Sequence, residues 1–410
     1  MIKFKGKLKD FQTDTYNFCL AHPYSLMNLD PGLGKTITSL AVACKVGGKV
    51  LVVCPAFLKQ NWLREINKFT EGLDVELTSY ASLKKVANFG AFDTVIFDEV
   101  HALKNREAFR TKLAHDLISK HKPKYLMGLT GTVVSNRCSE FWSLLQICYH
   151  GGSYPEFKPY HRLYFKFCHR FSYERSFEVN GFPITRFDGL RKTRIPELQA
   201  LIKPVLIRRR ASDVLDLPGG VETDFVGTTK KYDGDLKKAL ELFKVDPNDP
   251  QYMSLKAANA LAKVDTTLKL AKDLIEQGYR PLIFTCHIAA ADLLAEKLKC
   301  KKIDGGVDAD KRQGIVDDFN SGNAPALVAT IKSTAVGFNI TSTNYTIFND
   351  IDFSPDNIEQ AKKRTLRMGQ DKTCFYYYIF TSEFDQKLRD MVERKDKDIN
   401  TLFKGYRESI

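Results

Sequence analysis

The chain has 410 residues with 43% hydrophobic and 11% aromatic content, enough to bury a core in each of two or three domains and too apolar for a disordered chain. Its 62 Lys and Arg against 49 Asp and Glu leave a formal charge of +13, which favours a polyanionic partner, nucleic acid foremost, over a merely soluble basic protein. No apolar run approaches the roughly 18 residues of a membrane helix, and the basic start MIKFKGKLKD lacks a secretory signal's apolar stretch, so the expected compartment is the cytoplasm.

The first segment with chemistry in it is Asp30-Pro31-Gly32-Leu33-Gly34-Lys35-Thr36. A glycine-bounded turn lets backbone N–H groups curl around phosphate oxygens, a lysine ammonium reaches the terminal phosphates, and a Thr hydroxyl ligates Mg²⁺. The full phosphate-loop pattern begins with a further glycine, and this chain has Leu29 in its place. Thr36 opens a helical run from Ile37 to Val46. Apolar runs at Val50–Cys54, Val75–Thr78, Thr94–Phe97 and Tyr125–Leu129 alternate with helical patterns, the signature of a parallel sheet wrapped by helices. The third run ends at Asp98-Glu99-Val100-His101, as when a buried strand delivers a carboxylate to its C-terminal edge. Asp98 then completes the metal site and Glu99 is the base for the attacking water, because phosphoryl transfer needs a positioned nucleophile and charge neutralisation more than covalent help.

From Cys138 to Leu217 the chain is aromatic, basic and turn-rich. Cys148, His150, His161, Cys168 and His169 match no structural-zinc spacing, and the nine cysteines include no C-x-x-C pair, so reduced thiols packed beside aromatics are expected. Two alternating runs flank Asn180-Gly181 within Ser176–Thr185, which predicts a tight hairpin. Phe182 and the surrounding Tyr160, Arg162, Tyr164, Lys166, Arg170, Tyr173, Arg175 and Arg186 mix rings for stacking with cations for phosphates, as a strand-separating wedge needs. The competing reading has Phe177, Val179, Phe182 and Ile184 packing the hairpin onto neighbouring helices. Leu217-Pro218-Gly219-Gly220 marks a break. Helices are expected over Asp235–Lys244 and Tyr252–Ala262, then strands at Pro281–Thr285, Ala326–Thr330, Tyr345–Asn349 and Cys374–Phe380. The predicted organisation is an α/β lobe over 1–137, an attached insertion over 138–216, a hinge over 217–231 and a second α/β lobe over 232–410.

Further blocks make sense together: Leu8-Lys-Asp-Phe-Gln12, VLVVCPAFLKQNW from Val50 to Trp62, LTGTVVSN from Leu129 to Asn136, IDGG from Ile303, ATIKSTAVGFNIT from Ala329 and QAKKRTLRMGQ from Gln360. In this order, over nearly the whole chain, they resemble the Swi/Snf-type branch of the superfamily-two helicases and DNA translocases, the last block most specifically. The resemblance implies two RecA-like lobes in tandem, with ATP and Mg²⁺ as cofactors. It implies that Gln12 reads the adenine edge, that Gly32, Leu33, Gly34, Lys35, Thr36 and Gly337 hold nucleotide, and that Thr36 and Asp98 hold Mg²⁺. Catalysis falls to Lys35, Asp98 and Glu99 with Arg364 and Arg367 as arginine fingers; two arginines spaced i and i+3 share a helix face, and a planar guanidinium suits phosphoryl charge. His101, Thr130, Thr132 and Gln360 couple nucleotide state to the lobe interface, and Lys59, Lys332 and Ser333 face the DNA track. The chain departs from the family pattern at Thr334-Ala335, where a Gly pair is usual, and at Phe353-Ser354-Pro355, where Trp-Asn-Pro is usual. Phe165 to Leu217 is similar to the stretch between the lobes in annealing-helicase members, and the compact length resembles phage-encoded ones. The expected function is an ATP-dependent DNA translocase or helicase that remodels forked or branched DNA by fork regression, branch migration or unwinding. Two alternatives stay open: an RNA-dependent ATPase of the same superfamily, marked by an RNA requirement, and a nucleotide-gated DNA-binding clamp that does not move.

Overall fold

The structure is a computed structural model and describes residues 2–86, 90–131, 138–149, 157–179, 182–227, 250–336, 339–367 and 369–403. Its strands in chain order are β1 Lys3–Phe4, β2 Tyr24–Leu29, β3 Lys49–Cys54, β4 Thr70–Glu71, β5 Asp74–Ser79, β6 Thr94–Asp98, β7 Tyr125–Thr130, β8 Tyr173–Val179, β9 Phe182–Asp188, β10 Leu206–Arg209, β11 Gly220–Val226, β12 Leu282–Thr285, β13 Lys302–Ile303, β14 Leu327–Thr330, β15 Tyr345–Phe348 and β16 Cys374–Phe380. The chain forms two compact units, one of Met1–Ser176, Thr185–Leu215 and Lys397–Ile410, the other of Phe177–Ile184 and Asp216–Asp396.

In the first unit a six-stranded sheet runs β10-β2-β7-β6-β3-β5, every pair parallel. β6 reads TVIFD with all five residues buried, and β3 is buried from Val50 onward. Such runs are the mark of strands covered on both faces. Two buried clusters cover the sheet, one built around Leu40, Val52, Ile96 and Met127, the other around Leu51, Phe97, Phe141 and Leu198. The helix Lys35–Val46 stops at Gly47, whose φ of 71° closes the end as its N–H meets Ala43 O.

Of the segment predicted as an attached insertion over 138–216, all but Phe177–Ile184 and Asp216 group with the first unit. Phe141, Trp142, Phe157, Phe167, Phe171 and Phe187 share one core with Phe97 and Leu126 of the sheet, and Leu402 and Phe403 close it. Its β10 is an edge strand of the first sheet. Cys148 and Cys168 sit buried within that aromatic core, and burial pushes the Cys168 thiol up to about 11.

The second unit repeats the architecture with a six-stranded sheet, β11-β16-β15-β12-β14-β13, again parallel throughout. The expected second-lobe strands are all present within a residue or so of their predicted ends, and the helix predicted from Tyr252 runs Pro250–Ala262. Within the predicted hinge over 217–231, Gly220 to Val226 form β11, which pairs with β16, while 228–231 lie outside the described residues. Its pattern hid it: six of its seven residues are exposed at the sheet edge, so no apolar run announces the strand. The helix predicted over Asp235–Lys244 lies outside the described residues. A buried ion pair joins Lys263 to Asp385 in this unit, both side chains almost wholly inaccessible, with Asn259 Nδ2 donating to the same carboxylate at 3.0 Å.

Candidate nucleotide site

Between β2 and the helix Lys35–Val46 the chain turns through Gly32 and Gly34, with φ of 87° and 80°. These left-handed values strain any residue with a Cβ. At Gly34 a Cβ would also sit 2.3 Å from Gln12 Nε2, so the missing side chain lets Gln12 lie against the loop. Gln12 is buried; its Nε2 donates to Leu33 O at 3.0 Å, and its Oε1 accepts from Lys9 N at 2.9 Å. Lys35 Nζ donates to Leu29 O at 2.9 Å, folded back along its own loop. Thr36 follows, half-buried in the helix's first turn, where the exposed N–H groups and the macrodipole favour an anion.

Asp98 and Glu99 stand at the C-terminal end of β6, two strands from β2 in the sheet order. Asp98 is buried, and its Oδ2 accepts from Trp62 Nε1 at 2.8 Å. Its Oδ1 accepts from Glu99 N at 3.0 Å, and its backbone carbonyl accepts from Tyr80 OH at 2.8 Å. Burial first, and the Glu99 charge second, push the Asp98 carboxyl up to about 6, while the Trp62 hydrogen bond and the Lys35 ammonium pull it down. Lys35 is thus close enough to be felt at Asp98. Glu99 has a φ of 51°, an unusual value for a residue with a side chain and one that clusters at functional sites. His101 Nδ1 lies 3.2 Å from Glu99 Oε2 and 3.1 Å from Thr130 Oγ1, so a single N–H chooses between the general-base candidate and the end of β7.

The donor set suits a hard divalent cation, since Thr36 and Asp98 offer oxygens only.

In the second unit the sequence-predicted residues part company. Gln360 lies half-buried on the helix Pro355–Lys362. The expectation that Arg364 and Arg367 share a helix face is corrected: the helix ends at Lys362, and both arginines follow in turns. Arg364 is buried, with its carbonyl accepting from Ile340 N at 3.1 Å. Arg367 donates through Nη1 to Asn339 Oδ1, and desolvation draws its guanidinium below the ordinary arginine range. The Thr365 hydroxyl, donating to Lys362 O at 3.1 Å, belongs to the turns that follow that helix. Ser333, expected at the DNA track, is buried, and its hydroxyl donates to Thr330 O at 2.6 Å; the backbone occupies the group that a phosphate needs. Lys332 beside it is exposed, and Lys59 is half-buried at the start of the helix Lys59–Phe69. Gly337, Thr132, Asn180 and Gly181 lie outside the described residues, and of Phe182 only the backbone, in β9, is described.

Strands β8 and β9 pair as expected for the hairpin, but not every nearby ring or cation is available to nucleic acid. Tyr160 is buried with its OH donating to Glu197, and Arg170 grips the same carboxylate through Nε and Nη2 at 3.0 and 2.7 Å. Arg162, Phe165, Lys166, Tyr173 and Arg175 are exposed. Sequence reasoning missed Trp62 and Tyr80 as supports of Asp98; Trp62 closes one of the quoted blocks, whereas Tyr80 carries no local signal at all.

Comparison with known proteins bears on the lineage. The SNF2-related domain matches residues 69–225, and the helicase conserved C-terminal domain matches residues 262–369. The two matches, in this order, support a Swi/Snf-type helicase or translocase of superfamily two. Among Swi/Snf relatives, the Caenorhabditis elegans homologue of SWI/SNF-related matrix-associated actin-dependent regulator of chromatin subfamily A-like protein 1 is 26% identical, covering 95% of this chain and 61% of its own length. Mouse DNA annealing helicase and endonuclease ZRANB3 is 24% identical over 100% of this chain and 42% of its own. The putative ATP-dependent helicase/translocase YwqA of Bacillus subtilis is 25% identical over 96% of this chain and 48% of its own. The chain therefore spans about half the length of the Swi/Snf relatives it matches. The Sulfolobus solfataricus SWI2/SNF2 ATPase core in complex with dsDNA covers 98% of this chain and 95% of its own at 20% identity, with a TM-score of 0.43. No helix among the described residues is long and apolar enough to cross a membrane.

Proposed function

We propose that this Swi/Snf-type protein is a DNA-dependent ATPase that translocates on DNA and remodels forked or branched junctions. The observation that carries the ATPase reading is the meeting of the glycine loop, with Lys35 folded along it, and the Asp98-Glu99 pair at one end of one sheet. The loop N–H groups and Lys35 bind the phosphates. Thr36 and Asp98 would hold Mg²⁺, which would neutralise charge on the phosphate oxygens. Glu99 takes the proton of the attacking water, and His101, shared between Glu99 and Thr130, orients that carboxylate. Gln12, whose amide holds the loop at Leu33 O, reads the adenine edge in this account. Arg364 and Arg367 give guanidinium charge to the phosphoryl group in flight.

DNA as the polymer is supported by the family resemblance and by the charge of +13, and half-buried Lys59 and exposed Lys332 are the track contacts of this reading. Contacts to phosphates make binding steeply salt-dependent and weakly sequence-specific. The junction reading draws on the match of this whole chain to 42% of an annealing helicase's length and on the paired β8 and β9, with exposed Tyr173 opening β8 and exposed Phe165 on the helix before it. The test is ATP hydrolysis and strand exchange measured side by side on single strands, duplex, forks and four-way junctions, with RNA as a further arm. Fork- or junction-stimulated turnover with strand exchange is expected. Stimulation by RNA alone, or DNA binding gated by nucleotide without strand exchange, overturns the reading in favour of an RNA-dependent ATPase or a clamp.

A further inference from the structure

The helix Lys59–Phe69 begins with the candidate DNA contact and carries Trp62 one turn later, so residues 59 and 62 lie on one side of the helix. Trp62 is the one residue of that helix that is buried. Its indole N–H reaches Asp98 Oδ2 at 2.8 Å. Tyr80 OH, from the turn after β5, holds the Asp98 carbonyl at 2.8 Å, and Glu99 N holds Oδ1 at 3.0 Å. With the backbone carbonyl held by Tyr80 and Oδ1 by Glu99 N, the second oxygen takes its hydrogen bond from the helix. Glu99, next in the chain, sits in a left-handed conformation and donates its N–H to Asp98 Oδ1, a bond that rotation of that carboxylate breaks.

We propose that Trp62 is a positioning residue that transmits nucleic-acid contact at the start of the helix Lys59–Phe69 to the Asp98 carboxylate, by the indole N–H to Oδ2 hydrogen bond. A phosphate drawn to Lys59 moves or steadies the helix's first turn, and Trp62, rigid and buried, carries that displacement to the oxygen it holds. The chain thereby has a route within its first unit by which DNA sets the geometry of the Mg²⁺ ligand. This inference rests on the ATPase reading for its consequence, but its physical core, a link from helix to carboxylate, can be read without turnover.

The chain has two tryptophans, Trp62 and Trp142, so the Trp142→Phe protein leaves Trp62 as its single indole. Its emission is expected to shift when Mg²⁺ and ADP are added together, and to shift again when duplex DNA is added without nucleotide. The Trp62→Phe protein should respond to neither. If Trp142→Phe does not fold, the difference in response between wild type and Trp62→Phe gives the same reading. In turnover, Trp62→Phe keeps the ring and loses the N–H; the Mg²⁺ concentration for half-maximal rate should rise about tenfold, the scale of one hydrogen bond to a charged group. The ratio of DNA-stimulated to basal rate should fall toward one, while the KM for ATP stays within about twofold. Trp142→Phe removes an equally buried donor, 3.0 Å from Tyr160 O, and should keep both the ratio and the Mg²⁺ dependence. A folded Trp62→Phe protein with wild-type stimulation and Mg²⁺ dependence overturns the inference and leaves the ATPase reading standing. If wild type hydrolyses no ATP with any nucleic acid, the ATPase reading falls instead, and the emission responses to Mg²⁺-ADP and to duplex DNA decide the inference alone, their absence overturning it.

Discussion

Replacing Gly34 with alanine isolates the steric logic of the phosphate loop. Two separable penalties arise at this position. The backbone φ of 80° lies in the left-handed region, which costs a residue with a Cβ about 1–2 kcal/mol. The new Cβ would also stand 2.3 Å from Gln12 Nε2, far inside contact distance. That atom is the tip of a flexible side chain, so it moves, and it gives up its 3.0 Å bond to Leu33 O, about 1 kcal/mol for a neutral hydrogen bond. Gly34→Ala should therefore lower stability to denaturant by about 2–3 kcal/mol and weaken nucleotide binding, since the loop and Gln12 both shift. A double-mutant cycle separates the terms: in a Gln12→Ala background the clash disappears and only the conformational part remains, giving a coupling of about 1 kcal/mol. Denaturant melts of the four proteins, with ADP titrations beside them, measure it. Equal cost of Gly34→Ala in both backgrounds refutes the contact argument, and a cost below about 0.5 kcal/mol in both refutes the strain argument as well.

Lys263→Met should destabilise the protein by about 3–5 kcal/mol, because it leaves Asp385 buried without its cation, and denaturant unfolding of the second unit reads the loss directly. Arg364→Ala and Arg367→Ala should each lower ATP turnover strongly, by ~10³-fold if the residue acts as a finger, with duplex affinity nearly intact; lost DNA affinity with full turnover would move that arginine to the track. Glu197 is held below the ordinary glutamate range by its hydrogen bonds to Arg170 and by Tyr160. A depressed carboxyl contributes stability that is present above the unfolded-state value and lost as pH falls through the lower folded value, so Glu197→Gln should flatten the acid side of the pH–stability curve between those two values, and a curve of unchanged shape would count against the pairing.

Most of the fold was legible because parallel strands buried on both faces are written as unbroken apolar runs, as at Val50–Cys54 and Cys374–Phe380. What escaped were strands whose burial the pattern conceals. β2 reads YSLMNL and is wholly buried, yet Ser25 and Asn28 interrupt its apolar run; Asn28 is accommodated by donating to Thr130 O at 3.4 Å. β11 escaped for the opposite reason, being an edge strand with little to bury. The return of the C-terminal segment to the first unit was also invisible, since Leu402 and Phe403 find partners such as Phe141 and Gln199, whose amide donates to Leu402 O at 2.6 Å, some two hundred residues away. In the site, Lys35, Thr36, Asp98 and Glu99 were readable from local chemistry at fixed spacing. The helix face proposed for Arg364 and Arg367 was not, because spacing alone cannot tell a continuing helix from one that has just ended at Lys362.

The central claim is that the loop around Lys35 and the Asp98-Glu99 pair form one ATP-hydrolysing site driven by DNA. The measurement that tests it most directly is nucleotide binding and DNA-stimulated ATP hydrolysis in the Glu99→Gln protein, with Lys35→Ala alongside. The account expects Glu99→Gln to bind ATP as tightly as wild type and to hydrolyse none of it on any DNA, and Lys35→Ala to lose binding as well, because only the first keeps its phosphate contacts. DNA-stimulated turnover at the wild-type rate in Glu99→Gln would contradict it.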